Sequence, residues 1–116
     1  LFSNAQDLVR FSQALFGGEF LSADSLKQML TFVDEGEQSF NGQQSGLGVQ
    51  GYQTEYGRQW GHIGGIPGYS SDMRYFPDRN GATGVVLVNG KSSSEETATD
   101  VDILDDAIDT LLNKER

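Results

Sequence analysis

Helical periodicity at both ends of the chain, strand periodicity between them and turn residues at the joins predict an α+β fold. In that order lie two N-terminal helices, an antiparallel sheet of about four strands, and one C-terminal helix. The first helix is written in "LFSNAQDLVRFSQALFGG". Ser3 followed three residues later by Gln6 has capping-box spacing. Leu8, Phe11 and Leu15 then recur on one face, Val9 and Phe16 widen the stripe, and Gly17-Gly18 stop it. "LSADSLKQML" repeats the logic, with Ser22 as N-cap and Leu21 and Leu26 as a hydrophobic staple. Leu26, Met29 and Leu30 are expected to face inward.

Asp34 to Ser45 is polar and rich in Gly and Gln, and reads as a surface loop. The period then changes to two, and "LGVQGYQTE", "RQWGHIG", "SDMRYFP" and "TGVVLVNG" read as strands. Asn80-Gly81 suits a tight hairpin turn, since both residues tolerate positive φ. Val85 to Val88 is continuously apolar, as expected of a strand covered on both faces. Ser92 to Ser94 are expected to cap the last helix, with Ser93 and Glu96 as a capping box. Its apolar face holds Val101, Leu104, Ile108 and Leu111.

At 116 residues, with 36% hydrophobic and 22% charged, the composition is that of one ordinary domain. Eight bases against 17 acids give a net charge of −9, which argues against a nucleic-acid partner and against docking on an anionic membrane. Ser92 to Arg116 carries eight of the acids and two of the bases, hence −6 of that −9, and reads as a solvated helix face. With no cysteine, disulfides and Cys-based metal sites are excluded. No apolar run approaches the roughly 18 residues that span a bilayer. The chain has no signal peptide and no initiator methionine, and it opens inside a helix-start signal. Residues 1–116 are therefore expected to be a piece of something longer.

Two apparent motifs fail on context. "GLGVQG" (Gly46, Gly48, Gly51) matches a dinucleotide fingerprint literally, yet a polar loop precedes it and no helix follows. "DVDILDDAID" lacks the central glycine of a calcium loop and carries a helical stripe between its acids. A lone histidine offers no zinc spacing. No cofactor and no metal are expected.

"WGHIGGIPGYSS", Trp60 to Ser71, holds the only tryptophan, the only histidine and four glycines. On a strand, His62 and Gly64 share a face, so Gly64 leaves a gap beside the imidazole. Gly65 lets a ligand approach the backbone, and glycines within strands often mark such sites. The favoured chemistry uses the strand edge as a template: a ligand pairs along it and a backbone N–H stabilises an oxyanion. A structural histidine on an inert strand is the plainer alternative.

"FSNAQDLVRFSQALFGG", "LSADSLKQML", "SGLGVQGY", "GHIGGIPGYSS" and "GVVLVNG", in this order, resemble the closing part of the serine β-lactamase and penicillin-binding-protein-like hydrolases. That family includes class C β-lactamases, D-alanyl-D-alanine carboxypeptidases and related esterases. The resemblance covers nearly the whole chain and implies the C-terminal segment of a β-lactamase/transpeptidase-like fold, in a periplasmic or secreted bacterial enzyme. It implies that "GHIGGIPGYSS" is the family's Lys/His-x-Gly strand. His62 then assists proton movement, and Gly64 is the motif glycine. The Gly65 N–H is one of two oxyanion donors, while its carbonyl pairs with a small-molecule or peptide-like acyl substrate.

The family's nucleophile lies in Ser-x-x-Lys, with Tyr-x-Asn nearby, and neither occurs here. Ser71 is followed by Arg74, which cannot act as a base near neutral pH. The resemblance implies that both motifs lie N-terminal to these residues, so the 116 residues alone are expected to be inactive. Their partner is then the missing N-terminal part, without which an exposed apolar flank is expected to drive self-association. At Ile63 family members usually carry threonine or serine, whose hydroxyl contacts a substrate carboxylate. Isoleucine cannot donate, which favours an esterase or aminopeptidase-like member. The rival of a different class is a non-catalytic module whose Gly-rich strand binds peptide or sugar.

Overall fold

The computed structural model describes residues 1–34, 36, 42–91 and 100–114. Helix α1 (Ala5–Phe16) and helix α2 (Ala23–Met29) lead into strands β1 (Val33–Asp34), β2 (Gln44–Ser45), β3 (Gln50–Thr54), β4 (Gly57–Ile66) and β5 (Gly68–Phe76). A 3-10 turn (Pro77–Arg79), strand β6 (Ala82–Lys91) and helix α3 (Asp100–Lys114) complete the described chain. The α+β class expected from the sequence is the class observed. The strands form one antiparallel meander in sequence order, and among the described residues there are six rather than four. The two extra strands are two-residue ladders at the ends of the polar stretch, and their residues are half-buried or exposed. Ladders this short satisfy backbone groups without any apolar alternation, so no periodicity announces them.

Register places Trp60, His62, Gly64, Met73, Tyr75, Thr83 and Val85 on one face of the sheet. There α1 packs through Phe16, whose ring centroid lies 5.7 Å from that of Trp60 and 5.2 Å from that of Tyr75. Ser12, one turn earlier, is also buried, and its small side chain lets the helix approach closely. Phe11, expected in the stripe, instead stands out to solvent against Phe20. The opposite face holds Gln59, Gly61, Ile63, Asp72, Arg74, Phe76 and Val86, and α3 covers part of it. Leu104 and Ile108 pack with Phe76 there, supported by Tyr56 and Val86. Leu111 is exposed. A Cβ at Gly84 would sit 2.7 Å from Leu104, so glycine sets the distance of closest approach. The result is helix, sheet, helix in three layers.

Several local details depart from expectation. The cap of α1 is Asn4: its Oδ1 accepts the Asp7 N–H at 2.9 Å and its Nδ2 donates to the Asp7 carboxylate at 3.1 Å. Both Ser3/Gln6 and Asn4/Asp7 have the right spacing, and an acidic residue in the first turn also meets the positive end of the helix dipole. Ser22 caps α2 as expected, accepting from the Ser25 N–H at 3.2 Å. Leu26, Met29 and Leu30 are only half-buried. Asn80 and Gly81 do take positive φ, 57° and 72°, but they close a longer connection that begins with the 3-10 turn. Val85 to Val88 is not covered throughout, since Leu87 is 46% exposed. The serine cap expected at Ser92 to Ser94, with Ser93 and Glu96, lies outside the described residues.

The start of β4 is tied to the 3-10 turn by Arg58, which grips Asp78 with its guanidinium at 2.7 Å and its backbone N–H at 2.8 Å. Those donors hold the Asp78 carboxyl at about 2, below its ordinary 3.8. A depressed folded-state value means the stabilisation is complete above the ordinary value and disappears as pH falls through about 2. Thermal melts of the wild type and Asp78→Asn should therefore differ most above pH 4 and converge toward pH 2. A gap independent of pH would refute this.

Candidate functional site

Strand β4 runs through the Gly-rich stretch and turns back into β5 at Pro67-Gly68. Ile66 faces Tyr69, and Gly68 has φ 86°, so proline then a positive-φ glycine form the turn, as in type II geometry. Each glycine beside the histidine has a different reason. A Cβ at Gly61 would overlap the Met73 carbonyl, so that glycine serves strand packing. A Cβ at Gly64 would lie 2.7 Å from the Ser71 hydroxyl. The gap expected beside the imidazole is therefore filled by Ser71. At Gly65 a Cβ would meet nothing within 4 Å. Of Gly61, Gly64 and Gly65, that position alone is open among the described residues.

The ladder between β3 and β4 ends at Gln50 opposite Gly61, while the ladder between β4 and β5 continues to Ile66. Residues 62–66 are thus paired on one side only, among the described residues. In an antiparallel strand the N–H and C=O of alternate residues point to the same side. The Ile63 N–H points toward β3, where it donates to Gln50 Oε1 at 3.1 Å. By that alternation the N–H and carbonyl of Gly65 point to the same, unpaired side. An exposed edge of this kind is the template on which an extended ligand adds a strand.

His62 is exposed on the face it shares with Gly64. Its Nδ1 lies against the Ile63 carbonyl oxygen, which can only accept. In the tautomer that carries its proton on Nδ1, that proton is donated there and Nε2 keeps the lone pair. Further along the strand, at Gly64 and Gly65, lies a shallow cavity of about 660 Å³, bounded also by Ser3, Tyr69, Ser71 and Leu87. Ser71 and Arg74 lie on opposite faces of β5, so they cannot work as a nucleophile and its base.

Of the residues expected at the site, His62, Ile63, Gly64 and Gly65 lie consecutively on this edge. Sequence reasoning missed what lies behind it. Arg74 and Asp72 are buried and joined at 2.6 Å. Arg74 also donates to Gln59 Oε1 at 3.3 Å, and its guanidinium stacks 3.9 Å from the centre of the Tyr52 ring. The Tyr52 hydroxyl lies 3.0 Å from Gln50 Oε1 and 3.1 Å from Gln43 Oε1. Polar residues at period two, Gln50-Tyr52 on one strand and Asp72-Arg74 on another, were the available signal. "GLGVQG" has a packing role instead: Cβ atoms at Gly46 and Gly51 would collide with the Met29 carbonyl and the Phe32 ring.

A family model described as Beta-lactamase matches residues 1–108. Among solved structures, a D-stereospecific amidohydrolase from Streptomyces sp. is similar at 32% identity and a TM-score of 0.66, over 77% of this chain and 27% of that one. The D-amino acid amidase from Ochrobactrum anthropi SV3, complexed with L-phenylalanine amide, is similar at 25% identity and a TM-score of 0.73, over 96% of this chain and 31% of that one. The chain thus spans about a third or less of the structures it resembles. Among curated proteins none matches.

Proposed function

The chain belongs to the Beta-lactamase family of hydrolase fold, and on that premise we propose that it forms the C-terminal, substrate-aligning part of a serine amidohydrolase acting on amino acid amides. The observation that carries this reading is the unpaired edge of β4, with the Gly65 N–H directed outward beside an exposed His62. An outward N–H on a rigid strand is one half of an oxyanion site. The nucleophilic serine belongs to a part of the enzyme outside these 116 residues. Its oxygen bonds to the amide carbon, and the negative charge that develops on the carbonyl oxygen is met by the Gly65 N–H. The carbon–nitrogen bond then breaks, ammonia leaves with the proton taken from the serine, and water releases the acid.

His62 serves the proton transfers through Nε2. Ile63 supports an amide over a carboxylate substrate, because it offers no side-chain donor to a carboxylate. Both similar structures are amidohydrolases named for D-amino acid or D-stereospecific activity, which supports the D configuration.

The test uses the enzyme that contains this chain. D-Phenylalanine amide should be hydrolysed faster than its L-enantiomer, D-alanyl-D-alanine should be left intact, and a fluorophosphonate should label one serine. Absence of labelling and of turnover would instead favour a non-catalytic module that binds peptide or sugar. Gly65→Val sharpens the reading. Open space around Gly65 lets the fold accept the side chain, while the branched group blocks pairing along the edge. Activity should fall on the order of 10²-fold with the melting temperature unchanged. Equal activity would remove Gly65 from the site.

A further inference from the structure

Two backbone donors of β4 point toward the unpaired side, those of Ile63 and Gly65, and among the described residues the Ile63 donor alone is already taken. Gln50 Oε1 takes the Ile63 N–H at 3.1 Å. We propose that Gln50 is a positioning residue that masks the Ile63 donor, so that an acyl carbonyl is bound at Gly65 and nowhere else along the strand. This rests on the reading of β4 as the substrate-aligning strand.

Three features fix Gln50 in this role. It is the first residue of β3 and stands opposite Gly61, so its side chain begins where the ladder stops. Before it, Gly48 takes φ 70° and the Gly46 N–H closes back on the Val49 carbonyl at 2.8 Å, so the chain turns away rather than covering residues 62–66. Behind it, the Tyr52 hydroxyl lies 3.0 Å from the same Oε1, and the Tyr52 ring is held flat against the buried Arg74. An amide oxygen has two lone pairs, one for the Ile63 N–H and one for the single tyrosine proton, for which Gln43 Oε1 at 3.1 Å is the competing acceptor. The acceptor is thereby aimed from both sides.

Without it, a second exposed N–H would stand two residues from Gly65, roughly 6.8 Å along the strand. A carbonyl bound there is out of reach of the chemistry. Such non-productive binding lowers kcat and KM by the same factor and leaves kcat/KM unchanged, because free enzyme and transition state are untouched. A purely structural role of Gln50 would lower kcat/KM instead.

The experiment compares Gln50→Met, which fills the space without an equivalent acceptor, with Gln50→Glu, which keeps one. Steady-state kinetics on the amide substrate and hydrogen exchange at the Ile63 amide are both read in the enzyme. In Gln50→Met, kcat and KM should fall together by about threefold to tenfold, the worth of one net hydrogen bond, and Ile63 exchange should speed up by a similar factor. Gln50→Glu should restore both readouts. Tyr52→Phe, which keeps the ring on Arg74 and removes only the hydroxyl, should shift them in the same direction more weakly, and it replaces Gln50→Met should that variant not fold. Unchanged kcat and KM, or a loss of kcat/KM with Ile63 exchange unaltered, would overturn the proposal. A wild-type enzyme inactive on amides would instead overturn the amidohydrolase reading, and Ile63 exchange would still decide whether Gln50 holds that donor.

Discussion

Replacing Asp72 by alanine is expected to lower the unfolding free energy by about 3–5 kcal/mol, the cost of stranding one member of a buried ion pair. Asp72 is 0% exposed and Arg74 4%, and their 2.6 Å contact lies inside the sheet's polar face. Without the carboxylate the guanidinium stays charged, since arginine does not give up its proton in proteins. Gln59 and the Tyr52 ring would hold it, but neither supplies a negative charge. Asp72→Asn should cost less, because an amide oxygen still accepts from Arg74. Combining Asp72→Leu with Arg74→Met should recover much of the loss, as apolar replacement of both partners often does. Urea midpoints of the single and double variants measure this. A loss below about 1 kcal/mol in Asp72→Ala would show that Arg74 is not stranded without its carboxylate.

His62→Ala should slow the acylation step by about 10²–10⁴-fold in the enzyme that contains this chain, the usual worth of a positioned general acid or base. Its effect on the melting temperature should be small. The imidazole is exposed, and among the described residues its Nδ1 meets the carbonyl of the next residue on its own strand. Single-turnover kinetics with an activated ester separate acylation from product release. Unfolding of the variant, or unchanged acylation, would show a structural histidine.

Much of this was legible in the chain because apolar periodicity reports burial directly. Phe16, Leu104 and Ile108 were expected inside and are the core that the two helices bring to the sheet. The run from His62 to Gly65 stands out in the chain because a lone histidine is flanked by glycines, and on a strand that pattern serves either close ligand approach or close strand packing. The four glycines proved less uniform than the quoted run implied, since Gly61 and Gly64 answer to the neighbouring strand and Gly65 to open space. The Asp72–Arg74 pair was illegible for a physical reason. Burial of a charge depends on partners brought together by strand register, and here Gln59 comes from β4 and Tyr52 from β3. Gln50 was hidden for the same reason, because a side chain that caps a backbone donor 13 residues away leaves no local pattern.

The meander has a kinetic consequence. Every ladder among the described strands joins sequence neighbours, and β4 reaches β5 through the Pro67-Gly68 turn. Loop closure costs little over such short separations, and topologies dominated by local contacts fold fast. Helix α1, by contrast, packs on β5 and β6, more than fifty residues later in the chain. The hairpin carrying His62 and Gly65 is therefore expected to be among the earliest parts of the chain to reach its final register. The helices then dock on a sheet whose edge has already been laid out.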